Sequence, residues 1–117
     1  MKRSVELYIK DIVKYMERAE TYVRGLDFED FVKDNKTCDA VIRCIEVIGE
    51  AVKNVPEEIR ARYPSIPWRD MAGMRDKVIH GYFAVDFDNV WLVVKEEIPR
   101  LKPMMMKVWQ ELEKGLP

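Results

Sequence analysis

The segment MRDKVIHGY, from Met74 to Tyr82, contains the only histidine in a chain of 117 residues, 35% of which are charged. Arg75 precedes His80 by five positions. Arginine carries a permanent charge on a planar fork of donors that suits a phosphate, and histidine exchanges protons near neutral pH. Together they can drive attack of an RNA 2′-hydroxyl on the adjacent phosphorus without a metal, because arginine stabilises the phosphorane and imidazole moves a proton.

One chain supplies a single imidazole, whereas this reaction uses both an acid and a base. A symmetric dimer would supply two, so the chemistry favours a site shared by two copies. A purely structural role is the alternative, in which His80 caps the carbonyls of a helix end and Tyr82 is half-buried.

A predicted helix, PWRDMAGMRDKVIH, must position these side chains. It begins at Pro67, and Gly81 ends it. On an ideal helix Arg75 and His80 lie about 140° apart. Asp76 and His80 are four residues apart, share a helix face and are expected to touch.

Apolar residues recur at helical spacing along nearly the whole chain, which predicts an all-α fold. The first helix begins after Ser4, a good N-cap, and Gly25 ends it. A short helix capped by Asp27 follows in LDFEDFVKDN. The second long helix runs from near Thr37 to about Asn54.

The second long helix carries signals of close packing. Gly49 in its interior costs about 1 kcal/mol relative to alanine, so another backbone is expected to pass close to it. Apolar residues also extend beyond one stripe, which indicates a central helix or contact with a second subunit. Glu46 and Glu50 lie one turn apart and are interpreted as solvated or dimer-contact charges, with a direct catalytic role as the alternative.

The C-terminal part of the chain predicts one long helical stretch. Pro56 opens a short helix before it, and Asp86 or Asp88 caps the long stretch itself. Two prolines predict a break or kink near Glu97. The expected architecture is an antiparallel bundle of four to five helices, a single domain over residues 1–117.

The charge distribution gives no global attraction to nucleic acid, because the net charge is −1. The segment Ile59–His80 nevertheless carries a net charge of +3, from four arginines and one lysine against two aspartates. We name this range the basic segment. It fits a solvated face as well as it fits a phosphate-binding surface.

The remaining composition predicts a cytoplasmic protein without a membrane partner. The longest apolar run, VWLVV, is far shorter than the roughly 20 residues that span a bilayer, and the N-terminus lacks the apolar core of a signal peptide. Cys38 and Cys44 have no clustered histidine or further cysteine, so we expect two reduced, semi-buried thiols and no metal site.

The string WRDMAGMRDKVIHGY resembles the signature of the HEPN superfamily, in which arginine, four residues, histidine, one residue and tyrosine follow one another. It is most similar to the HepT-like branch, the ribonuclease toxins of prokaryotic toxin–antitoxin pairs with a nucleotidyltransferase. The likeness extends from about Asp39 to Leu101 and includes IGEA in the second long helix and YPSIPW before the third.

The resemblance implies roles for individual residues. Arg75 and His80 match the catalytic pair, and Asp76 occupies a polar position that helps to hold the site. Tyr82 matches the tyrosine to which the partner nucleotidyltransferase antitoxin adds AMP, which silences the toxin. The resemblance also implies a HEPN-like homodimer in which the two motifs face each other across a cleft.

The expected function is therefore a metal-independent endoribonuclease toxin of a type VII-like toxin–antitoxin module, acting on RNA rather than DNA and needing no cofactor. The alternative is a non-catalytic, nucleotide-binding partner of the nucleotidyltransferase, and a third interpretation is a helical scaffold. The isoelectric point near 5.9 is low for a protein that grips long RNA. Three explanations of this low isoelectric point are open: the site contacts only a few nucleotides, two copies form one basic cleft, or the ribonuclease activity is weak.

Overall fold

A computed structural model describes residues 4–81 and 84–115, and it confirms the predicted all-α class. The helices, in chain order, are α1 (Val5–Val23), α2 (Phe28–Lys33), α3 (Asn35–Lys53), α4 (Glu57–Arg62), α5 (Trp68–Ala72), α6 (Met74–Val78), α7 (Phe87–Leu92) and α8 (Ile98–Glu113). A π-helical turn, Val93–Glu97, joins α7 to α8. Two short strands, β1 (Ile79–His80) and β2 (Ala84–Val85), lie between α6 and α7.

The core forms where α1 packs along α3 and α8. Apolar residues of α1 recur three and four positions apart, so they share one face, and Ile9, Ile12 and Met16 are fully buried there. On α3 the apolar residues cover more than one stripe because this helix also contacts α5 and α6. The prediction of a central helix is thus confirmed within the monomer.

Local capping signals set the starts of the helices. The predicted N-caps Ser4 and Asp27 are confirmed, since each side chain accepts a backbone N–H of the first helical turn. The predicted start of α3 near Thr37 was two residues late. Asp34 is the N-cap, and its carboxylate accepts both the backbone N–H and the hydroxyl of Thr37, at 3.0 and 2.7 Å.

The third predicted helix is the largest error of the sequence prediction. It is divided at Gly73 into α5 and α6, and it ends at Val78, two residues before His80. The next two residues instead pair antiparallel with β2, Ile79 opposite Val85 and His80 opposite Ala84. Since β-branched residues favour extended backbone, pairing with a nearby strand outweighs helix continuation here.

The interruption predicted near Glu97 is confirmed as the π-helical turn. The N–H of Ile98 donates to the carbonyl of Val93, five residues back, which is the hydrogen bond of a π-helix. Pro99 follows immediately. A proline ring collides with the carbonyl four residues before it in a regular helix, so the wider turn accommodates Pro99. Asp86 is the cap of α7, as one of the two predicted candidates.

Both cysteines are free thiols, as expected, but they are buried rather than semi-buried. Burial raises the pKa of both, and that of Cys44 reaches about 11 despite the opposing influence of Arg18 and Arg43. These thiols are therefore core side chains rather than nucleophiles. Among the described helices, none is long and apolar enough to cross a membrane.

Candidate functional site

Arg75 projects from α6 towards α3, and its guanidinium contacts two carboxylates, Glu46 of α3 and the neighbouring Asp76 of α6. Its Nε lies 3.6 Å from Oε2 of Glu46, and its Nη1 lies 3.6 Å from Oδ1 of Asp76. The Arg75 side chain remains 51% exposed. A cavity of about 160 Å³ lies beside it, between α3 and the α5–α6 segment. The two carboxylates orient the arginine while leaving part of its donor fork open to a ligand.

Gly49 permits this arrangement because it lets α5 approach α3 closely. A Cβ atom on Gly49 would lie 3.2 Å from the carbonyl oxygen of Ala72, closer than most side-chain contacts allow. The predicted close passage of a second backbone is confirmed. Since Ala72 ends α5 and Arg75 lies in the next helix, this approach helps to bring Arg75 to Glu46, which lies one turn before Gly49 on α3.

His80 lies in β1, and its partner is Asp86. The imidazole Nε2 is 3.4 Å from Oδ2 of Asp86, and the His80 side chain is 57% exposed. The expected contact between Asp76 and His80 is wrong, because the two residues do not share a helix. Asp76 instead pairs with Arg75 and is 84% exposed. Among the described residues, the His80 ring contacts Asp86, and it makes no hydrogen bond to a helix carbonyl.

Arg75 and His80 belong to neighbouring elements, α6 and β1, with only a few residues between them. Among the described residues, no hydrogen bond or ion pair joins the two side chains to each other, and each has its own acidic partner. Tyr82, to which AMP addition was assigned, lies outside the described residues.

Much of the positive charge of the basic segment is engaged within the chain. Arg60 donates to two backbone carbonyls, from Nη2 to Val52 in the last turn of α3 at 2.7 Å and from Nε to Val55 just beyond that helix at 3.0 Å. Lys77 lies 3.7 Å from Glu97 of the π-helical turn. With Arg75 also paired, the basic segment presents less free positive charge than its sequence indicated.

Residues that could hold a metal ion do not gather in the described part of this site. Over the ranges 4–81 and 84–115, no three histidine, cysteine, aspartate or glutamate side chains form a group suited to metal binding. The groups that the structure offers to a ligand are the Arg75 guanidinium and the His80 imidazole, which bind anions and exchange protons.

Comparison with known proteins gives the family. A model described as "Ribonuclease HepT-like" matches residues 12–108, which include both Arg75 and His80. The chain belongs to the HepT-like ribonuclease family. This membership confirms the predicted family and the predicted enzyme class, a ribonuclease, whose substrate class is RNA.

Full-length relatives support the same family assignment. A "Probable ribonuclease HepT" of Thermococcus cleftensis is 51% identical over 108 residues, covering 92% of this chain and 98% of that protein. A "Putative RNase" of Methanocaldococcus jannaschii is 46% identical over 112 residues, covering 96% and 97%. No solved structure matches the chain significantly.

Sequence reasoning did not predict the contacts that two carboxylates make at this candidate site. The sequence predicts Glu46 as a solvated or dimer-contact charge, with a direct catalytic role as the alternative, and Asp86 only as a helix cap. The position of Glu46 one turn before the closely packed Gly49 was a usable signal, because a helix face with a near neighbour carries its side chains to that neighbour. No sequence pattern predicted a contact between Asp86 and His80, because that contact depends on the pairing of β1 with β2.

Proposed function

We propose that this chain is an endoribonuclease toxin that cleaves RNA through attack by the 2′-hydroxyl, without a metal, at a site to which two copies contribute. The single observation that carries the proposal is the arrangement of Arg75 and His80. Both side chains are about half exposed on neighbouring elements, and each contacts a carboxylate from another part of the fold. Family membership supplies the substrate class.

In the proposed reaction, Arg75 binds the phosphate whose oxygens gain charge as the phosphorane forms. One imidazole accepts the proton of the 2′-hydroxyl while the bond from O2′ to phosphorus forms. A second imidazole returns a proton to the 5′-oxygen while its bond to phosphorus breaks. Because the chain has one histidine, His80 of a second copy supplies the second imidazole, so the active enzyme is a homodimer.

The modest free charge of the basic segment supports a site that contacts only a few nucleotides. A protein that neutralises many phosphates needs many unpaired cations, and binding then depends steeply on salt. Here Arg60 and Lys77 are engaged in internal contacts, and Arg75 shares its charge with Glu46 and Asp76. We therefore expect weak binding of long RNA and a shallow dependence of that binding on salt.

Product chemistry tests the reaction. Purified protein incubated with RNA in excess chelator is expected to yield fragments ending in a 2′,3′-cyclic phosphate, because the attacking group comes from the RNA itself. A matched oligonucleotide that carries a 2′-O-methyl group at the cleaved position should remain intact. Mass spectrometry of the fragments distinguishes these ends. Nucleotide binding without any turnover would instead support the non-catalytic partner of a nucleotidyltransferase.

We further propose that a nucleotidyltransferase antitoxin silences the toxin by adding AMP to Tyr82. The support is the resemblance of the segment around His80 to the HepT-like signature. Tyr82 follows that histidine by two positions, as the tyrosine of that signature does. An added AMP brings bulk and negative charge near an anion site. Co-expression with a nucleotidyltransferase encoded beside this gene, followed by intact-mass measurement, should show one added adenylyl group. Its loss in Tyr82→Phe locates it, and a silenced complex with unmodified Tyr82 would contradict the proposal.

A further inference from the structure

Asp86 occupies a corner of the fold that is fixed by several hydrogen bonds. It follows β2 and caps α7, with Oδ1 accepting the backbone N–H of Asn89 at 3.1 Å. Its Oδ2 accepts the side-chain amide of Asn89 at 2.9 Å. Its own backbone N–H donates to the carbonyl of Val78 at 2.7 Å. These bonds hold the carboxylate in place independently of His80.

Asn89 links Asp86 to the end of α6 through hydrogen bonds. Its side-chain amide also donates to the carbonyl of Lys77 at 3.2 Å, one of the last carbonyls of α6 without a helical partner. The end of α6, β1 and the start of α7 are thus tied together around Asp86. His80 lies within this unit, in β1, so the distance between its imidazole and Asp86 is set by the backbone of the hairpin and of α7.

The contact selects one nitrogen of the imidazole. Oδ2 of Asp86 lies 3.4 Å from Nε2 of His80, and Asp86 is the acidic partner of that ring among the described residues. A carboxylate next to one ring nitrogen favours the tautomer that carries its proton there. Nδ1 is then the nitrogen left for exchange with another group.

We propose that Asp86 is a positioning residue for His80, holding the imidazole through Nε2 so that Nδ1 faces the reacting RNA. This inference rests on the proposed ribonuclease function. In the base role, Nδ1 accepts the proton of the 2′-hydroxyl as the O2′–P bond forms. In the acid role, the imidazolium of the second copy releases a proton from Nδ1 to the 5′-oxygen as the P–O5′ bond breaks. Asp86 acts through the imidazole in both roles and does not itself touch the RNA.

Asp86→Asn separates positioning from backbone capping, because an asparagine oxygen still accepts the backbone N–H of Asn89. Its NH2 group replaces the oxygen that faces His80 and the side-chain amide of Asn89. Asp88→Asn is the matched control. It removes the same charge from the first turn of the same helix, at a residue that is exposed. We expect Asp86→Asn to lower kcat about ten- to hundredfold with KM unchanged, and Asp88→Asn to retain both. If Asp86→Asn fails to fold, Asp86→Ser supplies an uncharged cap that cannot reach the imidazole.

Nuclear magnetic resonance gives a readout that needs no activity. The chain has one histidine, so the imidazole ¹⁵N signals belong to His80 alone. In the unmodified protein and in Asp88→Asn, the neutral ring should carry its proton on Nε2. In Asp86→Asn, the proton should shift towards Nδ1.

Two results would overturn the inference, namely full kcat in a folded Asp86→Asn protein or identical ring nitrogen signals in all three proteins. Its failure is distinguishable from failure of the proposed function. An inactive His80→Ala protein together with a fully active Asp86→Asn protein removes only the role of Asp86. A fully active His80→Ala protein removes the proposed catalytic histidine, whatever the tautomer.

Discussion

His80→Ala is expected to lower the rate of RNA cleavage by about 10²- to 10⁴-fold, the contribution of a positioned proton-transfer group. The physical reason is that no second histidine exists in the chain to replace the lost imidazole, in either copy of a homodimer. Arg75→Ala is expected to cause a loss of about 10²- to 10³-fold, because one charged donor that stabilises the phosphorane is removed. Initial rates on a short oligoribonucleotide at saturating enzyme measure both effects.

Folding should be nearly unaffected by these substitutions. Both side chains are about half exposed, and their contacts with carboxylates lie at 3.4 to 3.6 Å next to solvent. Exposed pairs of this kind contribute about 0 to 1 kcal/mol. Circular dichroism and thermal unfolding therefore check that any lost activity is a loss of chemistry.

A charge-matched control is available on another helix. Arg100 is exposed on α8, so Arg100→Ala removes one positive charge without altering the site and should keep the unmodified rate. Arg75→Lys tests the guanidinium itself, since lysine keeps the charge but lacks the planar fork, and most of the activity should still be lost. Unimpaired cleavage by both the purified His80→Ala protein and the purified Arg75→Ala protein would refute the proposed catalytic pair.

Phe31→Ala is expected to lower the free energy of unfolding by about 3 to 5 kcal/mol, as large-to-small changes of buried aromatics do. Phe31 is fully buried on α2, and its ring centroid lies 5.2 Å from that of Trp91 on α7. The substitution would leave a void beneath the helix whose first turn is capped by Asp86. Chemical denaturation followed by tryptophan fluorescence measures the loss.

Phe28→Ala is the matched control, because Phe28 contacts the same Trp91 ring edge-on at 5.9 Å but is only partly buried. Losing such an aromatic pair should remove about 1 kcal/mol, with little cavity left behind. Equal losses in the two variants would contradict the assignment of Phe31 to the core.

Local patterns predicted most of the helices correctly. Ser4 and Asp27 are short polar side chains immediately before apolar periodic segments, and both cap helices as that chemistry requires. Gly49 signalled a close neighbour, and α5 provides it. The segment around Arg75 and His80 indicated the family directly. These properties depend on residues that are close together in the sequence, so the sequence alone predicts them.

The sequence by itself therefore determined the helical class, the caps Ser4 and Asp27, the close approach at Gly49 and the family. Only the tertiary structure decided that His80 leaves the helix, because pairing of β1 with β2 joins residues whose partners cannot be read from helical periodicity. The same folding brings Glu46 to Arg75 from 29 residues away in sequence and Asp86 to His80 across a turn. Such contacts depend on how elements pack against one another, whereas periodicity and capping report only on each element alone.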